Sequence, residues 1–367
     1  MIPNGRRRKV SMAVKRAGAE ALLVTQAADV RYLTGFTGSN AALVVKGAGA
    51  NGFRTTMFTD GRYTTQARCE VDGIKVIIPE DKPVATAACE WAAAQGIERC
   101  AYDVAATTVG VLETMKGALP GKLRRRWFVP ARGLIAGLRE VKDEVEQDKM
   151  RAAAALGSRL FDQVLEHVVA GATEMEVALA LEYMARLEGA ERMSFDTIVA
   201  GGERSALPHA RATTAKLPRR GFVTMDFGVV LEGYCSDMTR TVHMGPARSG
   251  EREVYEAVLE AQEAGVAAVR AGVAAGEVDE AARSVLVKAG LAEWFTHSTG
   301  HGVGLEIHEG PRLGKKQEQK LKTGMVVTIE PGVYLPGKFG VRIEDSVLVT
   351  ANGCEVLTPA TKAWIEL

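Results

Sequence analysis

The stretch VTMDFGV at residues 223–229 recurs as VTIEPGV at residues 327–333, 104 positions further along the chain. A second pair of segments, 170–189 and 271–290, shares Ala, Gly, Glu and Val positions at an offset of 101. Each copy of this second pair has the pattern of a helix end, a turn and another amphipathic helix. Two matches in the same order favour a duplication over chance similarity. They predict two helix–helix–hairpin halves that make one domain.

Each predicted hairpin carries acidic residues on strands that are otherwise apolar. In the first hairpin, a turn at residues 231–232 would place Asp226 directly opposite Asp237. A turn at residues 232–233 would shift the register by two and make the pair diagonal, with both carboxylates still on one face. Facing carboxylates repel each other, and their apolar flanks add a desolvation cost. Either register therefore indicates a bound cation.

The second hairpin supplies matching acidic positions. Glu330 aligns with Asp226, and Glu344 follows on the strand-like run 341–345. Four inward-facing carboxylates are prohibitive in an interior unless they bind metal, and one imidazole would complete a five-ligand site for two divalent ions. His301 is the candidate imidazole, because the glycines of residues 299–304 allow the backbone to approach a site closely.

The other histidines divide into two groups. His308 lies beside the same glycine-rich stretch, and His209 has roughly the corresponding place in the first half, so both are site candidates. Cys235, two residues before Asp237, is interpreted as a buried structural thiol because no adjacent base is visible. The remaining histidines are interpreted as structural groups in the core or at the surface: His167, His243 and His297.

Composition argues against several classes of protein. The 367 residues include 46 Lys and Arg against 45 Asp and Glu, a formal net charge of +1, which argues against nucleic acid or an anionic membrane surface as the main partner. No stretch approaches 18 uninterrupted apolar residues, so no membrane span is expected. The five cysteines are widely spaced and contain no C-x-x-C pair, which fits a reducing cytoplasm rather than a disulfide framework.

The first third of the chain alternates helical and strand patterns, which indicates an α/β domain. A charge run at 138–146 opens a predicted long helix that extends toward Leu165, and we interpret this run as the solvated face of a linker helix. The chain is therefore divided into domains at 1–135 and 136–367. Strands are predicted at 19–25, 41–46, 55–59, 74–78 and 99–102, and an Ala-rich helix at 85–95.

A series of segments in the second domain resembles the Xaa-Pro aminopeptidase and prolidase (Xaa-Pro dipeptidase) family in order and spacing across residues 140–367. The resemblance implies an α+β protein with a pita-bread catalytic domain of pseudo-twofold helix–helix–hairpin halves. A smaller creatinase/prolidase-type α/β N-terminal domain would precede it, carrying RYLTGFTGS at 31–39 and FTDGRY at 58–63. The segments of the second domain are SALPH at 205–209, DFG at 226–228, SDMTRT at 236–241, TGHGVGLEIHE at 299–309, EPG at 330–332 and VRIED at 341–345.

The resemblance implies a dinuclear metal site in the second domain. It would hold two divalent ions per chain, with Mn preferred and Co, Zn or Fe compatible with the same ligands. Asp226 would bind the first metal, and Asp237 and Glu344 would bridge both. His301 and Glu330 would complete the second metal. A water molecule that bridges two cations has a much lower pKa than free water and becomes hydroxide near neutral pH.

The same resemblance implies the catalytic roles. The hydroxide would attack the carbonyl before proline, while His209 and His308 would contact the substrate and stabilise the tetrahedral intermediate. Glu330 would carry the proton to the leaving prolyl nitrogen, and Arg342 would hold the bridging carboxylates. Because a prolyl bond has no N–H to donate, recognition must rely on the shape of the ring and on the free α-amino group of the substrate.

The implied function is that of a Xaa-Pro aminopeptidase, which hydrolyses the bond between an N-terminal residue and a following proline in small peptides. The alternative is a Xaa-Pro dipeptidase restricted to dipeptides. A homodimer is also a family expectation. A methionine aminopeptidase would leave the N-terminal domain unexplained. A creatinase-like enzyme works without metal, and a metal-free binding homologue would be expected to have lost ligands, whereas all five ligand positions are intact here.

Overall fold

The computed structural model describes residues 4–47, 52 and 54–367, and the chain divides into two units, Met1–Arg139 and Glu140–Leu367. The division lies four residues beyond the one placed by the sequence at 135/136, because the short helix Ala136–Arg139 groups with the first unit. Within the described residues, no helix is both long enough and apolar enough to cross a membrane.

The first unit is an α/β domain with a six-stranded sheet in the order β4-β3-β2-β1-β5-β6. Its helices are α1 (Asn4–Arg16), α2 (Ala27–Thr34), α3 (Thr64–Glu70), α4 (Val84–Ala94), α5 (Val109–Gly117), α6 (Gly121–Arg124) and α7 (Ala136–Arg139). Its strands are β1 (Ala21–Val24), β2 (Ala41–Lys46), β3 (Thr55–Thr59), β4 (Lys75–Ile77), β5 (Cys100–Asp103) and β6 (Phe128–Ala131).

The five strands and the Ala-rich helix predicted for this unit are confirmed, with ends that differ by no more than two residues. The sixth strand, β6, was missed because Pro130 interrupts a short pattern in the sequence. This strand lies at the edge of the sheet, parallel to β5, and an edge strand tolerates a residue without a backbone N–H.

The second unit consists of two halves that each contain two helices followed by a series of strands, as the repeated motifs predict. The first half contains α8 (Glu144–Val164), α9 (Glu174–Leu187), β7 (Arg192–Met193), β8 (Ile198–Gly201), β9 (Gly221–Phe227), β10 (Val229–Leu231), β11 (Tyr234–Cys235) and β12 (Met238–Met244). The second contains α10 (Glu251–Ala268), α11 (Ala275–Lys288), β13 (Gly300–Gly302), β14 (Glu309–Leu313), β15 (Val326–Ile329), β16 (Gly332–Leu335), β17 (Phe339–Arg342), β18 (Asp345–Val349) and β19 (Cys354–Val356).

The turn between the two helices has the same construction in each half. Gly171 and Gly272 occupy equivalent places with φ of +91° and +87°, a left-handed conformation that glycine adopts without steric cost. The N–H of Gly171 donates to the carbonyl of Leu217, and the N–H of Gly272 donates to that of Leu321. The sequence match at an offset of 101 therefore corresponds to a repeated local structure.

Each half packs its helices onto its own strands through a separate apolar cluster. In the first half, Phe161 and Leu181 of the helices are fully buried together with Phe227 of β9. In the second half, Val278 of α11 is buried together with Val327 of β15. Burial of side chains of this size stabilises each half by about 1.5–3 kcal/mol per residue and holds the strands that carry the acidic residues.

The first hairpin adopts the diagonal register. Asp226 lies opposite Thr239, and the turn is formed by Glu232 and Gly233, which have φ of +47° and +84°. Two successive residues with positive φ are typical of the tight turn that suits the twist of paired strands. The alternative register, with Asp226 directly opposite Asp237, is therefore wrong, because the turn begins one residue later than that register requires.

The charge run 138–146 differs from its sequence-based interpretation. The helix α8 begins only at Glu144, where Asp143 caps it and forms a capping box with Glu146. The side chain of Lys142 is 1% exposed, and Glu146 is also buried. The interpretation of the run as a solvated helix face was wrong for these residues, because Lys142 pairs with Glu309 and Glu146 also accepts a hydrogen bond from the hydroxyl of Tyr234, and both partners are distant in sequence.

The capping box of α9 allows a test of the local stability of the first half. Thr173 accepts a hydrogen bond from the N–H of Glu176, and the Glu176 carboxylate accepts from the N–H and hydroxyl of Thr173. Thr173→Ala removes the acceptor at the helix start and is expected to lower the free energy of unfolding by about 1 kcal/mol in urea titrations. Thr173→Ser keeps the acceptor, so equal losses in the two variants would contradict this account.

Candidate metal centre

The two hairpins contribute their acidic residues to one cavity of about 620 Å³. This cavity brings together every residue that the sequence predicts for the site. The predicted metal ligands and catalytic residues in its wall are Asp226, Asp237, His301, Glu330, Glu344, His209, His308 and Arg342.

Three of the four acidic residues lie where a strand is interrupted. Asp237 lies between β11 and β12, and Glu344 lies in the corresponding break between β17 and β18, not within a strand as the sequence suggested. Glu330 directly follows β15. The N–H of Glu330 donates to the carbonyl of Thr299, and that of Glu344 donates to the carbonyl of Thr239. Each break therefore turns an acidic side chain toward the cavity while its backbone remains hydrogen-bonded.

His301 lies beside three of the four acidic residues. Its Nε2 is 3.5 Å from Oδ2 of Asp237 and 3.6 Å from Oε1 of Glu330. Ligand atoms of Asp237, His301 and Glu344 all lie within 4.8 Å of one another. The Nδ1–H of His301 donates to the carbonyl of Gly302 at 3.0 Å, so its Nε2 presents a lone pair to the cavity. Burial lowers the pKa of His301 to about 4, which keeps the ring neutral and able to bind a metal.

The carboxyl groups repel one another in a buried environment. Burial raises the pKa of Glu330 to about 8. The positive charge of Arg342 lowers this pKa, and the negative charge of Asp226 raises it further. Burial and then the charge of Glu344 raise the pKa of Asp237. Burial and the charges of Glu330 and Asp226 raise the pKa of Glu344. Without a cation, the group would lower this cost by holding protons.

Two carboxylate oxygens provide a direct test of whether a metal fits. Oδ1 of Asp226 and Oε1 of Glu344 are buried, and neither has a hydrogen-bond partner among the described residues. Buried anionic oxygens without a donor are costly unless they bind a cation. Four carboxylates and one neutral imidazole are also a donor set suited to divalent transition metals. The residues present therefore fit a metal centre.

Arg342 holds a different carboxylate from those that the family resemblance suggested. Its Nη2 pairs with Oδ2 of Asp226 at 2.6 Å, and its Nε donates to Oγ1 of Thr239 at 3.1 Å. The hydroxyl of Thr239 donates to Oε2 of Glu344 at 2.7 Å. Arg342 therefore contacts Asp226 directly and reaches Glu344 through Thr239, whereas the expected partners were Asp237 and Glu344.

His297 lies in the cavity wall, although its sequence interpretation was structural. Its Nδ1–H donates to the carbonyl of Ser298, and its Nε2 accepts a hydrogen bond from the hydroxyl of Tyr334 at 2.9 Å. Tyr334 accepts in turn from Nη1 of Arg342 at 2.6 Å. Burial lowers the pKa of His297 to about 4, so the ring is neutral. Its position four residues before His301 was the only local sign in the sequence that His297 would line the cavity.

The two histidines predicted to contact the substrate are both exposed on the cavity wall. The ring of His308 stands edge-on to that of His301, with the centroids 4.4 Å apart. His209 follows Pro208, whose carbonyl accepts a hydrogen bond from Nη1 of Arg342 at 3.1 Å. Both imidazoles are therefore beside the acidic group and accessible to a ligand in the cavity.

Two interpretations of structural residues are confirmed. Cys235 is buried, and burial raises the pKa of its thiol to about 11, so the thiol is not a reactive nucleophile. His243 is completely buried against Phe222 and Trp364. Its Nδ1–H donates to the carbonyl of Gly245, and it is not among the residues that line the cavity.

A buried ion pair fixes the loop that carries His308. Nζ of Lys142 lies 3.2 Å from Oε2 of Glu309, and the two side chains are 1% and 5% exposed. Oε1 of Glu309 accepts from the N–H of Glu306. A Cβ on Gly304 would lie 2.5 Å from the Glu309 carboxylate, so the loop passes this pair too closely for any other residue.

Comparison with known proteins agrees with this architecture. Residues 148–351 match the model of metallopeptidase family M24, and residues 6–141 match the creatinase/prolidase N-terminal domain. The chain belongs to metallopeptidase family M24.

Solved structures of similar sequence cover the whole chain. A Xaa-Pro dipeptidase from Bacillus anthracis is 36% identical with a TM-score of 0.93, and 99% of each chain is covered. A prolidase from Pyrococcus horikoshii is 33% identical with a TM-score of 0.90, over 99% of this chain and 100% of that one. An X-Pro aminopeptidase from Thermotoga maritima is 35% identical with a TM-score of 0.87, over 97% of this chain and 99% of that one.

Substitution of single ligands is expected to reduce metal binding. Asp237→Asn and His301→Ala each remove a donor from the centre of the acidic group, and we expect both to lower bound metal per chain after reconstitution. Added metal should also raise the unfolding temperature of these variants less than that of the parent protein. Asp196→Asn is the matched control, because Asp196 lines the same cavity but is exposed and pairs with Arg211. Unchanged metal content in both ligand variants would exclude the site.

The ion pair behind the His308 loop predicts an effect on stability. Lys142→Met leaves the Glu309 carboxylate buried without its cation, and the expected loss in free energy of unfolding is about 3–5 kcal/mol. The double variant Lys142→Met/Glu309→Gln removes both charges and should recover part of that loss in urea titrations. A double variant that is less stable than the single one would show that the pair is not the source of the effect.

Proposed function

We propose that the protein is a metal-dependent Xaa-Pro dipeptidase, which hydrolyses the bond between an N-terminal residue and a following proline in dipeptides. One observation carries the proposal: the cavity that contains the carboxylates and His301 also contains Arg312. Within the described residues, the guanidinium of Arg312 has no ion-pair partner. A free dipeptide needs such a cation for its carboxylate, and two of the structures reported above are of a Xaa-Pro dipeptidase and a prolidase.

The metal would be held by the five residues that the sequence predicts. We propose that they hold two divalent ions, with Mn preferred, and that Asp226 supplies its unpartnered Oδ1 as a ligand. When bound, such ions act as Lewis acids and lower the pKa of water enough to provide a nucleophile near neutral pH. The ligand set is Asp226, Asp237, His301, Glu330 and Glu344.

The residues of the chain provide the proton transfers and the orientation. Glu330 takes a proton from the attacking water at its carboxylate and delivers it to the prolyl nitrogen as the bond breaks. His308 and His209 are exposed on the cavity wall and donate hydrogen bonds to the oxyanion. Arg342 orients the Asp226 carboxylate through its 2.6 Å contact. The imino nitrogen of proline offers no N–H, so its ring is recognised by shape.

Xaa-Pro aminopeptidase activity on longer peptides is the second candidate. The similarity to the Thermotoga maritima X-Pro aminopeptidase, which extends over nearly the whole of both chains, favours it. The two candidates share the chemistry at the metal centre and differ in whether the substrate may continue beyond proline. Cleavage of Xaa-Pro together with Xaa-Pro-Yaa and longer peptides would support the aminopeptidase, whereas cleavage of dipeptides alone would support the dipeptidase.

Two further features are proposed, the first from the family resemblance and the second from the cysteines. We expect a homodimer, which light scattering would contradict if it gave a mass near 39.2 kDa. We also expect the protein to work in the cytoplasm, where its five free cysteines would remain reduced. Reconstitution with one metal at a time would identify the metal that supports activity.

Substitution of Arg312 tests the dipeptidase proposal. Arg312→Met removes the cation that would pair with the proline carboxylate, and we expect the KM for Ala-Pro to rise about tenfold with little change in kcat. The KM for Ala-Pro-NH2, which has no carboxylate, should not change. Arg270→Met is the control, because Arg270 is exposed and does not line the cavity. Equal effects on the acid and the amide would contradict the proposed role.

A further inference from the structure

A buried threonine hydroxyl lies between two of the predicted metal ligands. Thr328 of β15 is fully buried, and its Oγ1 accepts a hydrogen bond from the N–H of His301 at 3.1 Å. The same hydroxyl donates to Oε1 of Glu330 at 3.3 Å. An N–H can only donate, so the hydroxyl oxygen accepts from it and directs its own proton to the other partner. The hydroxyl of Thr328 is therefore fixed as a donor to the Glu330 carboxylate.

The backbone around Thr328 places the hydroxyl beside that carboxylate. Thr328 precedes Glu330 by two residues, and side chains two positions apart on an extended strand lie on the same face. A Cβ on Gly300 would overlap the carbonyl oxygen of Thr328 and lie 2.9 Å from its Oγ1. The glycine before His301 therefore allows β13 to approach closely enough for the N–H of His301 to reach the hydroxyl.

A second hydroxyl has the same arrangement at Glu344. Thr239 is fully buried, accepts from Nε of Arg342 at 3.1 Å and donates to Oε2 of Glu344 at 2.7 Å. In both cases a nitrogen donor fixes the direction of the hydroxyl, and the hydroxyl holds one oxygen of a carboxylate. The second oxygen, Oε1 of Glu344 or Oε2 of Glu330, has no hydrogen-bond partner in the part of the chain that the structure describes.

The first half has a threonine at the equivalent position without this contact. Thr224 lies 104 residues before Thr328 and two residues before Asp226. Its hydroxyl lies 3.1 Å from that of Thr241, while Oδ2 of Asp226 pairs with Arg342. The two equivalent threonines therefore differ in whether their hydroxyl contacts a predicted metal ligand, and Thr224 provides an internal comparison.

We propose that Thr328 is a positioning residue of the metal centre, which joins His301 to Glu330 and fixes the orientation of the Glu330 carboxylate. The inference rests on the proposed function and adds a residue that does not line the cavity. With Oε1 held by the hydroxyl, Oε2 remains available for the proton that Glu330 carries to the prolyl nitrogen. Loss of a hydrogen-bond partner behind a metal ligand typically costs about 10–100-fold in metal affinity or activity.

Calorimetric titration of Mn²⁺ into the metal-free protein tests this role without any hydrolysis. Thr328→Val keeps the branched shape but removes the hydroxyl, and we expect it to weaken Mn²⁺ binding about tenfold or more. Thr328→Ser keeps the hydroxyl and should restore most of the affinity. Thr224→Val is the matched control, because it removes the equivalent buried hydroxyl and should leave the affinity unchanged. Equal weakening by the two valine variants, or a serine variant no better than Thr328→Val, would overturn the proposal.

Kinetics on Ala-Pro with metal-saturated protein separate positioning from stability. We expect Thr328→Val to lower kcat about 10–100-fold with little change in KM, because Glu330 acts in proton transfer rather than in binding of the dipeptide. A variant that is less stable in urea but keeps the parent's Mn²⁺ affinity and kcat would show that Thr328 is only structural. A parent protein that binds Mn²⁺ but does not cleave Ala-Pro would refute the proposed function, while the order of Mn²⁺ affinities would still support the role of Thr328.

Discussion

The repulsion among the buried carboxylates of Asp226, Asp237, Glu330 and Glu344 is the constraint on which the catalytic unit depends. Burial raises the pKa of three of these groups, and two oxygens in the set have no hydrogen-bond partner among the described residues. The surrounding structure must hold such a cluster, and its repulsion is relieved by a bound cation or, without one, by protons on the carboxyl groups. Folding of the two hairpins and metal binding are therefore coupled, because the folded site is the state that binds the cation.

The duplicated fold holds the acidic residues in place by using a similar arrangement of helices and strands twice. Each half places its acidic residues at or near strand breaks and supports them with its own apolar cluster. One guanidinium, that of Arg342, contacts this group directly, through Asp226. The Thr239 hydroxyl then extends the contact to Glu344, which belongs to the other half. These contacts join the two halves beside the acidic group.

Much of this arrangement could be predicted because it depends on short-range patterns. The repeat of VTMDFGV as VTIEPGV predicted the paired hairpins and Glu330, and the glycines around His301 indicated a close backbone approach. The hairpin register could not be chosen, because it depended on Glu232 adopting a positive φ, which few non-glycine residues do.

The errors concern side chains whose partners are far away in sequence. Lys142 looked like part of a solvated charge run, and its partner Glu309 lies 167 residues further on. His297 looked like an ordinary structural histidine, and its partner Tyr334 lies 37 residues further on. Neither the spacing of apolar residues nor a short motif indicates such a pair, because the two side chains meet only through tertiary packing.

The segment 297–301 links the metal centre to a second cavity of about 260 Å³. His301 faces the carboxylates, while His297 and Ser298 line both cavities. Asp279 anchors the segment by accepting hydrogen bonds from the N–H and hydroxyl of Thr299, and Thr299 accepts in turn from the N–H of Glu330. A shift of this segment would move His301 and the wall of the second cavity together. The positions of His301 and of the wall between the two cavities are therefore set by the same few hydrogen bonds of Asp279 and Thr299.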